Sequence, residues 1–231
     1  MFSGLFQAIE QLGDPRIRGV IIKAVVISAA LFVALMFTAG WLLSGLSVSG
    51  IGWIDRTISF LGGGAAFFIG LFLFPAFTGI IISFMHEEIA SAVEARHYPC
   101  LPPAREEPVI EMLVNALRFA GVTVFLNLLV LILLVPLMLV TIVMIPLIPF
   151  VFYILNGYLL GREYFEFAAV RRLDLPAGRT LRQYFKFRIF VCGIVIAVLM
   201  TIPLVNWLMP IVAVAYMVHL FEGVRSGGEN V

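Results

Sequence analysis

Charge is what this chain has least of. Charged residues make up 13% of its 231 residues, against about 25% in soluble domains. Hydrophobic residues reach 62% and mean hydropathy is +1.08. So little charge cannot coat a globular surface, which excludes a soluble domain; the pattern is that of a multi-pass integral membrane protein. The net charge of +1 says nothing about partners, and no nucleic acid is expected among them. Cysteine is also scarce. Cys100 and Cys192 are the only two, they form no ligand-like cluster, and they read as ordinary thiols. No nucleophile elbow, metal-ligand helix motif or phosphate-cradling glycine loop is found. No catalytic residue, metal or cofactor is therefore expected, and the chain does not read as an enzyme. No basic stub with a short apolar stretch and cleavage site opens it.

What is present is long apolar sequence of unusual length. The stretches 119–161 and 189–221 contain no Asp, Glu, Lys or Arg. A simple span needs about 20 apolar residues. The second stretch is too long for one span and too short for two with a turn. Prolines interrupt both: Pro136, Pro146 and Pro149 in the first, Pro203 and Pro210 in the second. A helical hairpin that enters and leaves on one side fits this pattern. Backbone that turns at membrane depth must be covered by protein or line a wet cavity.

Around these runs the order is regular. Phe2, Leu5, Phe6, Ile9 and Leu12 recur at helical spacing, predicting an amphipathic interfacial helix over 1–14. Full transmembrane helices are predicted over 18–44 and 58–85, with Trp41 and Trp53 as interfacial anchors. Gly50, Gly52, Asp55 and Arg56 form the polar connection between them. In the second span, Gly62, Ala66 and Gly70 give a small-residue seam for a neighbouring helix; Pro75 and Gly79 are expected to kink or interrupt it. A polar cytoplasmic segment occupies 86–118, and a basic segment, Arg162 to Arg188, separates the two hairpins at 119–161 and 189–221. Of 15 Lys and Arg residues, only Arg56 lies in the connection between the spans. The positive-inside rule then places the other polar segments in the cytoplasm. The fold class is an all-α integral membrane protein: two full transmembrane helices, two partly inserted hairpins and the N-terminal amphipathic helix.

Four constellations could carry chemistry. In Pro15-Arg16-Ile17-Arg18-Gly19, a helix N-terminus and two guanidinium groups suit an oxyanion; the plainer reading is an anchor against lipid phosphates. Asn156 and Gly157 precede Arg162, Glu163, Tyr164 and Glu166. There Arg162 and Glu166 are spaced to pair on a helix, with Arg171 and Arg172 extending the positive face. The alternative is an interfacial helix with a solvated face. Pro203 to Pro210 brackets Asn206, predicted to cap the turn of the second hairpin. Finally, His86, Glu87, Glu88, Glu94 and Arg96 read as a cytoplasmic helix end, with Glu94 and Arg96 as candidates for a polar network beside the pore.

Ile202-Pro203-Leu204-Val205-Asn206 with Met209-Pro210-Ile211-Val212-Ala213-Val214 resembles the C-terminal pattern of the CysZ sulfate-transporter family, which shares a broad family with eukaryotic etoposide-induced membrane proteins. Pro75-Ala76-Phe77 with Val93-Glu94-Ala95-Arg96, and Tyr164-Phe165-Glu166, are similar to two further family segments. The resemblance covers most of the chain. It implies an oligomeric protein of the bacterial inner membrane, with two full spans and two hemi-penetrating hairpins, that admits sulfate or a related oxyanion for cysteine synthesis. It also implies sulfate binding at a Gly-x-Arg-Arg-type loop, which maps by position onto Arg16, Ile17, Arg18 and Gly19. Here Arg16 replaces the glycine and Gly19 the second arginine, and Ser28 stands where the family has asparagine. The competing expectation is a scaffold that binds membrane lipids without transporting ions.

Overall fold

The computed structural model of the chain describes residues 2–44, 52–105, 108–134, 136 and 146–228. All regular structure among them is helical. Gly50 lies outside the described residues, as do the side chains of Trp53 and Ala66. The chain forms two compact units, Gly13–Ile89 and Met1–Leu12 with Ala90–Val231.

The unit Gly13–Ile89 holds two long helices, α2 (Pro15–Ser44) and α3 (Gly52–Phe84). Within α2, Pro15–Leu42 has a hydropathy of 2.7 over its most apolar stretch. At about 1.5 Å per residue it spans the ~30 Å hydrocarbon core with length to spare. The two helices meet where Gly70 permits it: a Cβ there would sit 2.8 Å from the Phe32 ring and 2.9 Å from Met36 Cε. Phe32 is edge-on to Phe67 and Phe74, with centroids 6.0 and 6.2 Å apart. Of the expected seam, Gly70 thus makes the close contact. The interruption expected at Pro75 and Gly79 does not occur; α3 runs past both to Phe84. Proline removes one N–H, but an apolar helix keeps its remaining ladder because no water competes for it. Thr78 Oγ1 also donates to the Phe74 carbonyl at 3.0 Å.

The second unit contains α1 (Phe2–Glu10), the body of α4 (His86–His97), and α5 (Val109–Leu129), which continues as a π-turn through Val130–Leu134. It continues with α6 (Ile148–Val170), α7 (Leu175–Tyr184), α8 (Lys186–Met200), α9 (Pro203–Asn206) and α10 (Met209–Gly228). Ile110–Leu133 is a further stretch long and apolar enough to cross a bilayer, and none of its most apolar window is buried by protein. The helix starts ten residues before the first charge-free run because Glu111 and Arg118 are carried on its polar first turns.

In the second charge-free run, α8, the short α9 at Pro203 and α10 are separate helices, and α8 packs on α10. This is a helical hairpin whose far arm is not lipid-facing. Met209, Ile211, Val214, Tyr216 and Met217 are each at most 1% exposed; α10 is the core of its unit, packed on α1 and α6. Asn206 is exposed, and its backbone N–H donates to Ile202 O at 2.8 Å, so the helical backbone satisfies the turn there.

The tightest contact lies between α6 and α8. A Cβ on Gly157 would come within 2.5 Å of Ile194 Cγ1, one on Gly161 within 2.6 Å of Ile189 O, and one on Gly193 within 2.7 Å of Gly161 N. Glycine at all three lets the two backbones touch. The basic segment between them folds as α7. Asp174 caps its N-terminus by accepting from Ala177 N–H at 3.0 Å, with Pro176 in the first turn. At Phe185 the chain bends by 86° into α8.

Candidate anion site

The bend at Phe185 gathers cations. Arg182 ends α7 and Lys186 begins α8, and both face Arg162 of α6 across a cavity of about 300 Å³ also lined by Tyr158, Phe187 and Phe190. Arg162 is 5% exposed. Its Nε donates to Glu166 Oε1 at 3.1 Å, the i,i+4 pair read from the sequence. Arg182 Nε lies 3.0 Å from the same carboxylate oxygen. The Arg162 guanidinium also sits 5.7 Å from the centroid of the Phe119 ring, an attraction that holds it in place. Among the described residues the three cations face one carboxylate, leaving two positive charges around a mostly apolar cavity. Unbalanced charge in a low dielectric is costly, so the corner favours a small anion, and a dianion matches its charge.

The other expected residues are placed differently. Asn156 donates to Phe152 O at 2.9 Å, and Glu163 is exposed, so neither lines the cavity. Glu94 is buried in a second network, where Arg171 Nη2 approaches it at 2.9 Å and Arg172 Nη2 at 2.5 Å. Arg171 also donates to Ser91 Oγ at 3.2 Å, and Arg172 to the Pro102 carbonyl. Arg172 Nε lies 4.0 Å from Glu222, which Arg225 holds at 2.7 Å. This network ties α4, the end of α6 and α10 together. Its carboxylates are already satisfied by cations, which makes it a brace; Arg96, on the same helix as Glu94, is exposed.

At the head of α2, Arg16 and Arg18 are exposed, Ile17 is buried and Gly19 is half-buried. The two arginines are two residues apart, about 200° around the helix, and point to different sides. The N-terminal donors are also in use: Arg16 N–H donates to Asp14 Oδ1 at 2.8 Å, and Arg18 N–H to Asp14 O at 2.9 Å. Asp14 is thus an internal anion at the position where an external one was expected. Ser28 is buried and donates to Ala24 O at 2.7 Å.

Arg182 and Lys186 were not singled out from sequence. Their four-residue spacing was visible, but it spans a helix break, and only the 86° bend turns them toward Arg162. Gly157 and Gly161, spaced as a small-residue seam, were the legible sign that α6 would meet another backbone.

Among curated proteins, none matches the chain. The model of the family described as Sulfate transporter CysZ/Etoposide-induced protein 2.4 matches residues 4–210. A membrane protein of transporter type is what that family and the long apolar helices together describe. With the match extending over nearly the whole chain, from α1 into the start of α10, the protein belongs to the Sulfate transporter CysZ/Etoposide-induced protein 2.4 family.

Proposed function

We propose that the protein admits sulfate across the bacterial inner membrane, as an oligomeric channel or permease feeding cysteine synthesis, with the α6–α7–α8 corner as its anion site. The observation that carries this reading is the meeting of Arg162, Arg182 and Lys186 around one cavity with Glu166 as the single carboxylate in contact among the described residues. Each residue has a separate task. Arg162, buried and held by Glu166 and Phe119, is a fixed donor pair. Arg182 is 17% exposed and shares Glu166, so an arriving dianion draws on a guanidinium that is already oriented. Lys186 is exposed and adds a mobile charge that raises the local anion concentration. Tyr158 supplies a hydroxyl and the phenylalanines exclude part of the water. Arg16 and Arg18, splayed and exposed at the head of α2, act as further anion attractors.

Labelled sulfate uptake into liposomes containing only this protein tests the function. Uptake above empty liposomes that falls in the double variant R182Q/K186Q supports it. Folded protein that passes no sulfate overturns it in favour of the lipid-binding scaffold.

A further inference from the structure

A second cavity, of about 600 Å³, lies in the same unit, between α1 and α10. It is lined by Ser3, Gln7, Tyr98, Arg188, Tyr216 and His219, with no carboxylate among its lining residues. His219 is 6% exposed. Its Nδ1 is 3.0 Å from the Tyr98 hydroxyl and the His97 ring packs edge-on at 4.8 Å, while its Nε2 has no partner among the described residues. Burial, and secondarily the Glu222 carboxylate, pushes the Tyr98 phenol above its ordinary value, so Tyr98 is a neutral phenol able to donate to Nδ1. In the tautomer where the phenol donates, the imidazole hydrogen lies on Nε2, a buried N–H without an acceptor among the described residues. Tyr216 accepts from Cys192 Sγ at 3.0 Å, which leaves its own hydroxyl hydrogen for the cavity. Arg188 adds a guanidinium, set over the Phe185 ring at 5.8 Å.

The wall of this cavity therefore offers donors and one positive charge, with an orphaned buried N–H at its base. What completes it is a ligand rich in acceptor oxygens. We propose that the α1–α10 cavity is a second anion site, distinct from the corner, which binds a phosphate- or sulfate-type oxyanion through Arg188, His219 Nε2–H and the Tyr216 hydroxyl. Two sources supply that chemistry: a free oxyanion, or the phosphate of an anionic lipid. The exposed apolar face of α1, with Phe6 and Ile9 outward, would set the cavity mouth at headgroup level. The volume leaves room for either with bound water.

The test uses full-length protein carrying R182Q/K186Q, so that the corner contributes little. Sulfate binding is measured by equilibrium dialysis, and lipid phosphorus retained after purification from phosphatidylglycerol-containing membranes is counted per chain. Each is repeated with R188Q, an exposed position that tolerates change, and with R188Q/H219F. The proposal expects either sulfate affinity to fall at least tenfold with R188Q, showing a free oxyanion, or retained phosphorus to fall by about one per chain, showing a lipid phosphate. If neither quantity moves in either variant, with helicity and elution volume unchanged, the site does not exist. Loss of liposome uptake with R188Q-sensitive binding intact would sink the transport function and leave this site standing. Uptake that persists without R188Q-sensitive binding would do the reverse.

Discussion

The head of α2 and the corner of α6, α7 and α8 both present arginines beside a helix terminus, yet they are built in opposite ways. At the head of α2, two arginines lie two residues apart on one helix, both exposed, and the helix supplies its own anion in Asp14. At the corner, Arg162, Arg182 and Lys186 come from three helices, converge on one cavity and share a single carboxylate. Proximity in sequence turns out to be a poor guide to convergence. An i,i+2 pair on a helix diverges by geometry, whereas residues twenty or more positions apart meet when a bend directs them.

The comparison can be broken most sharply at its scaffold. Gly193→Leu would drive a side chain into the backbone of Gly157 and Gly161. A backbone neighbour cannot step aside, so the cost should reach or exceed the ~1–3 kcal/mol typical of overpacking. The purified variant should melt several degrees lower and lose sulfate binding, while Gly19→Ala, with open space around its Cβ position, should do neither. Next, R182Q/K186Q should weaken sulfate binding ten- to a hundredfold, about 1.4–2.8 kcal/mol, against at most about threefold for R16A/R18A. Calorimetric titration of both at equal ionic strength decides between the two regions, and the reverse order would move the anion site to the head of α2.

Acid should distinguish them by another route. Burial lowers the pKa of His86, in the α2–α3 unit, from 6.5 to about 4. The folded form then holds this histidine neutral while the unfolded chain protonates it below about pH 6.5. Stability is full above that pH and is lost as pH falls toward 4, by up to about 3 kcal/mol. Thermal melts between pH 7.5 and 4 should show this decline, and His86→Phe should flatten it. The smallest effect is expected from Asp14→Ala. Removing the cap should cost about 1 kcal/mol of stability and change sulfate affinity less than about twofold. A clear gain in affinity would mean that Asp14 had been competing with sulfate at the head of α2.

Much of the fold was legible from charge and length alone. The charge-free stretches mark the apolar helices, and Pro203 marks the break between α8 and α10; the first span, expected from residue 18, begins at Pro15. Hydropathy did not reveal that α10 is covered by protein on nearly all sides, because a lipid-facing helix and a core helix have the same composition. The Arg162–Glu166 pair was legible from its four-residue spacing. The remainder of the corner was not, since Arg182 and Lys186 owe their direction to one bend. Glu94 stood out as a candidate by residue type, but its partners Arg171 and Arg172 are far along the chain and only the packing of α4 on the end of α6 reveals them.

The glycine seam has a consequence for discrimination among ions. Because α6 and α8 touch through backbone at Gly157, Gly161 and Gly193, the main chain fixes where the side chains of Arg162 and Lys186 begin, and the exposed Lys186 side chain is left to follow the anion. A corner with one fixed guanidinium and one mobile ammonium holds its charge constant while tolerating some change of radius. Tetrahedral dianions of different radius, such as sulfate, chromate and molybdate, should therefore compete within about tenfold of each other, while monovalent chloride and nitrate should be turned away for want of charge.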